Sequence, residues 1–206
     1  MTKLPDEIYD NFADTYDSNR GAFDISRILD DFYFLFGESK GQILDLGCGA
    51  GEPVARYFIS HGWQVTGVDF SQRMLELASK YAPDMKAIRA DIREVEFVPD
   101  QFDAVTATYS LFHLPFAEHP GVFRKIYKWL KPNGRILFTY ATKEYTGSEE
   151  FSGYKKFIDT DLYYSHKTPE ELLSDLEEIG FNLNSTDYHT ICDETFLWVT
   201  AQKPNI

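Results

Sequence analysis

The stretch Ile43–Gly51, Ile-Leu-Asp-Leu-Gly-Cys-Gly-Ala-Gly, constrains this chain more than any other. An apolar run closes around an acid and three glycines follow at every second position, which reads as a strand, a tight turn and the start of a helix. Glycine lacks a Cβ, so the backbone there can take positive φ. A ligand can then lie against the chain, next to the unpaired N–H groups of the helix that follows. The spacing is G-x-G-x-G, not the G-x-G-x-x-G that serves a pyrophosphate. Asp45 precedes the first glycine, and a carboxylate there suits a nucleoside-like ligand with positive charge better than a diphosphate. A glycine-rich turn that binds nothing would carry the same letters.

The rest of the chain alternates strand and helix patterns. Strands are predicted at Gln42–Leu46, Trp63–Asp69, Met85–Ala90 and Phe102–Thr108, with a fifth after the turn Lys131-Pro132-Asn133-Gly134. Between them lie helices ending near His61, spanning Gln72–Tyr81 behind a Ser71 cap, and spanning Phe116–Lys131 with Val122, Ile126, Trp129 and Leu130 inward. Thr168-Pro169-Glu170-Glu171 is a capping box that opens a last helix, and Phe181–Tyr188 with Thr195–Gln202 reads as an antiparallel hairpin at a sheet edge. Ahead of the glycine turn, Tyr9–Asp17 places two Tyr-Asp pairs on one helical face, and Ala22–Gly37 is an amphipathic scaffold helix. Tyr140–Lys167, rich in tyrosine and acid, is the least regular segment. The pattern predicts one α/β domain over 1–206 with a mostly parallel sheet.

With these motifs in order, about three quarters of the chain resembles the class I S-adenosylmethionine (SAM)-dependent methyltransferases, in particular their small-molecule, type 11/25-like members. Asp45, Gly47, Gly49 and Gly51 look like the family's first motif, the Phe-Asp strand ending in His113-Leu114 matches a later one, and Leu130-Lys131-Pro132-Asn133-Gly134 is similar to its Leu-x-Pro-Gly-Gly turn. The resemblance implies a three-layer Rossmann-like fold of about seven strands with the last one antiparallel. It implies SAM as cofactor, held by Asp45, Gly47, Cys48, Gly49 and Gly51, by Asp69 at the ribose, by Phe70 and Met74 flanking the adenine, by Asp91 and Ile92 at the adenine amino group and ring, and by Thr108 at the ligand edge. An acid at the end of the second strand is also where nucleoside-binding sheets hold ribose hydroxyls. The expected activity is methyl transfer to the oxygen or nitrogen of a small molecule. Residues 1–37 would form a helical lid and scaffold, with Tyr16 a lid residue and candidate base, and 140–167 would be an acceptor-pocket insertion whose composition suits a neutral or cationic acceptor. His113 is the other candidate base, since histidine titrates near neutral pH; a packing role beside the cofactor is the alternative.

Charge and cysteine usage narrow the classes. A formal net charge of −13 with scattered lysines and arginines argues against a nucleic-acid substrate, and neither Asn-Pro-Pro-Tyr nor a Pro-Cys nucleophile of nucleic-acid methylases occurs. No signal peptide, membrane span or basic amphipathic helix is read, so a cytoplasmic protein without membrane association is expected. Cys48 and Cys192 form neither a metal motif nor a disulfide framework, and no metal is expected. Two rivals stay open: a SAM-binding protein without catalysis, and a nicotinamide-binding oxidoreductase, which would need the other glycine spacing. The acceptor, the atom methylated and the oligomeric state are not written in the sequence.

Overall fold

The computed structural model describes residues 6–19, 21 and 23–205. Residues 1–5, 20, 22 and 206, which the expected lid, scaffold helix and domain boundaries include, lie outside them. The strands are β1 (Gln42–Leu46), β2 (Gln64–Asp69), β3 (Lys86–Arg89), β4 (Phe102–Ala107), β5 (Leu130–Tyr140), β6 (Phe151–Phe157), β7 (Thr160–His166), β8 (Asn182–Ile191) and β9 (Glu194–Gln202). The helices are α1 (Asp6–Ser18), α2 (Ser26–Phe34), α3 (Val54–Ser60), α4 (Gln72–Tyr81), α5 (His119–Trp129), the short α6 (Lys143–Thr146) and α7 (Pro169–Ile179).

Seven strands form one sheet in the order β3-β2-β1-β4-β5-β9-β8. Pairing is parallel from β3 to β5, and β9 enters antiparallel between β5 and β8. The last strand is therefore reversed, as the family resemblance implies. Alternation along the strands sorts the core into two faces. Leu44, Leu46, Val105 and Ile136 pack with α5 and α7 through Ile126, Trp129 and Leu176, whereas Ile43, Ala104 and Leu137 pack with α2, α3 and α4 through Leu29, Phe58 and Leu75. This makes three layers. Strand order changes direction at β1 and β4, so a crevice opens beyond their carboxyl ends.

Local signals placed most elements well. Ser71 Oγ accepts from Met74 N to open α4, and Thr168 with Glu171 forms the full capping box at α7. Asn133 takes φ 65°, the left-handed conformation its Leu-x-Pro-Asn-Gly turn requires.

Two differences matter. The scaffold helix is shorter than the expected Ala22–Gly37: the Asp24 carboxylate accepts from Ser26 N at its start, and tighter i to i+3 bonds from Leu35, Phe36 and Gly37 end it. The segment 140–167 is not irregular, because β6 and β7 pair as an antiparallel hairpin from Phe151↔His166 to Phe157↔Thr160. Its turn is Ile158-Asp159, with Ile158 at φ 54° and no glycine or asparagine, so the usual hairpin signal is missing.

Candidate active site

The three glycines of the turn do three different things. Gly47 (φ 74°) lets the turn meet the loop after β4, since a Cβ there would stand 2.4 Å from Ser110 Cβ. Gly49 (φ 50°) faces open space with only Met74 Sδ at 4.0 Å from its missing Cβ. At Gly51 (φ 77°) a Cβ would sit 2.7 Å from Ala82 Cβ, so this glycine packs the turn against the end of α4. Gly51 was expected to touch cofactor; it does not line the cavity, because its open face is filled by α4.

Most amides of the turn are already committed within the protein. Gly47 N and Cys48 N donate to the Val68 carbonyl at 2.8 and 3.1 Å, Gly49 N to Asp69 Oδ2 at 2.9 Å, and Gly51 N to the Cys48 carbonyl at 2.9 Å. A phosphate cradle needs those donors free. Carboxylates stand in their place. Thr106 Oγ1 donates to Asp45 Oδ1 at 2.8 Å, and Ser71 N donates to Asp69 Oδ1 at 2.9 Å. Burial raises the Asp45 carboxyl from 3.8 to about 7 against the Thr106 hydrogen bond, with the Asp69 charge adding to the rise. Burial likewise raises Asp69 to about 6, opposed by the backbone N–H groups of Ser71 and Gly49. Neither acid has a lysine or arginine ion pair among the described residues. Two buried carboxylates without a counter-charge form a receptor for a cation.

These groups line one cavity of about 670 Å³, within the usual range for small-molecule sites. Asp45, Gly47, Cys48, Gly49, Asp69, Phe70, Met74, Asp91, Ile92, Thr108, Tyr16 and His113 all border it. The Cys48 thiol is buried and its pKa pushed up by burial and by the two acids, so it is a packing group. Asp91, expected at the adenine amino group, is gripped by Arg93 in a fork, Nε to Oδ1 at 2.9 Å and Nη2 to Oδ2 at 2.6 Å. Burial alone would raise this carboxyl, and the guanidinium holds it below the ordinary value.

The two candidate bases part company. Tyr16 Oη donates to the Glu52 carbonyl at 2.8 Å, tying α1 to the loop after the glycines; this hydrogen bond makes Tyr16 a tether. His113 sits in a 3-10 turn, Leu111–His113, with Nδ1–H donating to the Tyr163 carbonyl at 2.7 Å. That bond leaves the lone pair on Nε2. Burial lowers its pKa to about 4, so the ring is neutral at physiological pH and a weak base.

Sequence reasoning passed over Tyr9, although it begins the same Tyr-Asp repeat that drew attention to Tyr16. Its ring meets Phe70 at 5.0 Å and His113 at 5.7 Å, both edge-on, and its buried hydroxyl has no hydrogen-bond partner among the described residues. Such a hydroxyl awaits an acceptor. Across the mouth, α1 is docked by Ser71 Oγ to Asp10 at 2.6 Å, by Arg73 to Asp14 at 2.9 Å, and by Phe12 on Phe157 of the β6–β7 hairpin at 5.6 Å. Of the aromatic lining Tyr109, Phe112, Tyr164 and Phe196, Tyr164 lies in the expected acceptor-pocket insertion and Phe196 was missed; the wall comes from three distant segments and has no common motif.

Comparison with known proteins agrees with this geometry. A family model described as a methyltransferase domain matches residues 43–134, the glycine turn through the Asn133-Gly134 turn. Phosphoethanolamine N-methyltransferase 3 of Arabidopsis thaliana is 31% identical over 141 residues, covering 65% of this chain and 28% of that protein. The chain thus spans less than a third of that curated relative's length. An S-adenosylmethionine dependent methyltransferase of Mesorhizobium loti superposes with a TM-score of 0.70 at 22% identity, over 85% of this chain and 96% of the other. The 1,6-didemethyltoxoflavin-N1-methyltransferase of Burkholderia thailandensis, solved with 1,6-didemethyltoxoflavin and S-adenosylhomocysteine, superposes with a TM-score of 0.72 at 19% identity, over 99% and 92%. The two structures speak for the fold and the family model for the motif-bearing half. With a reversed last strand, a G-x-G-x-G turn and paired carboxylates in place of a phosphate cradle, the chain has the fold of the S-adenosylmethionine-dependent methyltransferases it superposes on and carries a methyltransferase-domain match over residues 43–134.

Proposed function

We propose that this chain transfers a methyl group from SAM to a small-molecule acceptor, at nitrogen or oxygen. The observation that carries the reading is the glycine turn, whose amides are committed to the protein while Asp45 and Asp69 stand buried beside it without counter-charges. When bound, SAM supplies a methyl group on a sulfonium that needs no activation by the protein. Asp45 would hold the ammonium of its amino-acid end, Asp69 the ribose hydroxyls, and Asp91, oriented by Arg93, the adenine edge with Ile92 and Met74 against the ring. The open face at Gly49 leaves room for the ligand to lie on the backbone.

What remains for the protein is positioning. Aligning two reactants in line can supply most of the acceleration of such a displacement. His113, neutral with an Nε2 lone pair, would accept a hydrogen bond from an acceptor N–H or O–H and orient it. A group with a pKa of about 4 removes protons poorly at pH 7, which favours an acceptor that is already nucleophilic. Helix α1 with the β6–β7 hairpin would act as the lid, excluding water as the site fills. The acidic lining and a net charge of −13 weigh against a nucleic-acid acceptor.

Calorimetry with S-adenosylhomocysteine (SAH) and with a nicotinamide dinucleotide tests the cofactor, and label from methyl-labelled SAM followed into separated extract fractions tests the reaction. Tight SAH binding with label in the small-molecule fraction is expected. Tighter dinucleotide binding, or label concentrating in nucleic acid or protein, would refute the reading, and tight SAH binding without turnover would leave a SAM-binding protein that does no chemistry.

A further inference from the structure

Beyond the residues assigned to SAM, the cavity continues to Glu194, the first residue of β9, behind a tight turn in which Cys192 and Asp193 take φ 51° and 64°. The turn carries this carboxylate into the ligand edge of the sheet, a place strand periodicity does not mark. Its surroundings are aromatic. Phe112 is stacked between Tyr164 at 5.3 Å and Phe196 at 5.1 Å, Tyr109 meets Phe196 edge-on at 5.4 Å, and Tyr145 lies on Phe196 at 4.5 Å.

Glu194 is half-buried and makes no ion pair among the described residues. Burial raises its carboxyl above the ordinary range, offset in part by the Tyr145 phenol and by the charge of Lys155. Its own charge helps raise the phenols of Tyr109, Tyr145 and Tyr164 around it. Lys155 is held elsewhere: its ammonium donates to the Tyr145 carbonyl at 2.7 Å and lies 4.7 Å from that ring's centroid. Lys155 does not line the cavity, and among the described lining residues the one lysine or arginine is Arg56, which is paired with Glu52 and largely exposed. A half-buried carboxylate bordered by aromatic side chains attracts a cation by charge, and the rings give that cation's apolar body a wall to lie against. The same arrangement repels a phosphate or carboxylate.

Resting on the methyltransferase reading, we propose that this end of the cavity is a subsite for an ammonium-bearing acceptor, with Glu194 as its counter-charge and Tyr109, Tyr164 and Phe196 as its walls. Acceptors would then be small molecules with an apolar or aromatic body that carry this ammonium away from the methylated atom, since a protonated nitrogen has no lone pair to attack the methyl group, and an acceptor whose remote end is a phosphate would be excluded.

Three near-isosteric probes, 2-phenylethylammonium, 2-phenylethanol and 3-phenylpropionate, are titrated calorimetrically into the full chain, with and without saturating SAH, for the parent and Glu194→Gln. The ammonium probe should bind at least about tenfold tighter than the anion, with the alcohol between, and Glu194→Gln should reduce that preference about tenfold, as expected for loss of one charge-assisted contact, while SAH affinity holds. Equal affinity for the three probes, preference for the anion, or a preference untouched by Glu194→Gln would overturn the subsite. Because the preference is read with and without SAH, its persistence in a chain that fails to bind SAH would refute the methyltransferase reading and leave the subsite standing. Its absence in a chain that binds SAH would do the reverse.

Discussion

Asp45→Asn should make the protein more stable and a worse binder, and the two effects can be sized from the structure. Burial carries the Asp45 carboxyl from 3.8 to about 7 in the folded chain. At 1.36 kcal/mol per tenfold, keeping it ionised costs on the order of 4 kcal/mol of folding free energy above pH 7. The penalty is absent below about pH 4, where folded and unfolded chains are both protonated, and grows as pH rises to the folded value. Asparagine keeps the shape and an acceptor for the Thr106 hydroxyl, but it brings an amide N–H pair whose burial costs roughly 1 to 3 kcal/mol. The net expectation at pH 8 is a gain of about 1 to 3 kcal/mol, or a Tm rise of roughly 2 to 12 °C for a chain of this size. Toward pH 4 the gain should vanish and change sign. SAH affinity should fall roughly ten- to a hundredfold, the range for losing a hydrogen bond to a charged group. Thermal unfolding at pH 8 and pH 4 with calorimetry at pH 8 measures both. A variant less stable than the parent at pH 8, a gain independent of pH, or unchanged SAH affinity would refute the account of Asp45 as a buried, cation-seeking carboxylate.

Gly49→Ala and Gly47→Ala should separate binding from folding: the first places a methyl in open cavity and should weaken SAH with a stability loss of ~1 to 2 kcal/mol from its positive φ, whereas the second drives a methyl into Ser110 and should lower Tm by more. Asp69→Ala should weaken SAH roughly ten- to a hundredfold, and affinity in the parent should decline as pH falls through about 7 and then 6, because the two acids must be ionised to attract the ligand; a pH-independent titration would contradict this. Turnover should show no inflection near pH 6.5 from His113, whose burial keeps it neutral down to about pH 4, and an inflection abolished by His113→Ala would contradict its assigned state. Hydrogen exchange in α1 and in the β6–β7 hairpin should slow on adding SAH, and equal exchange would leave both as ordinary surface.

What the sequence determined by itself was local. The strand-to-glycine transition at Leu46, the Ser71 and Thr168 caps and the apolar face of α5 follow from steric and hydrogen-bonding rules that act within a few residues, and each stands where it was read. The order of these signals gave an α/β domain with a mostly parallel sheet, and the family resemblance added the reversed last strand and the candidate site acids. Tertiary structure decided what those residues do. Gly51 turned from ligand contact to helix packing because Ala82 occupies the space its Cβ would need. Asp91 became a gripped acceptor because Arg93 folds back on it, and Tyr16 a tether because the Glu52 carbonyl lies within reach of α1. The β6–β7 hairpin closes through Ile158 in a left-handed turn that local preference disfavours, and it is tied to distant segments by Ser165 Oγ donating to the Leu114 carbonyl, by His113 donating to the Tyr163 carbonyl and by Phe12 on Phe157. Glu194 is the extreme case. One strand-end acid among many in the sequence, it acquires a role only where β9 runs back beside β5 and brings it among Tyr109, Tyr145 and Tyr164. Burial and charge environment depend on which distant segments meet, and no spacing within one segment encodes that.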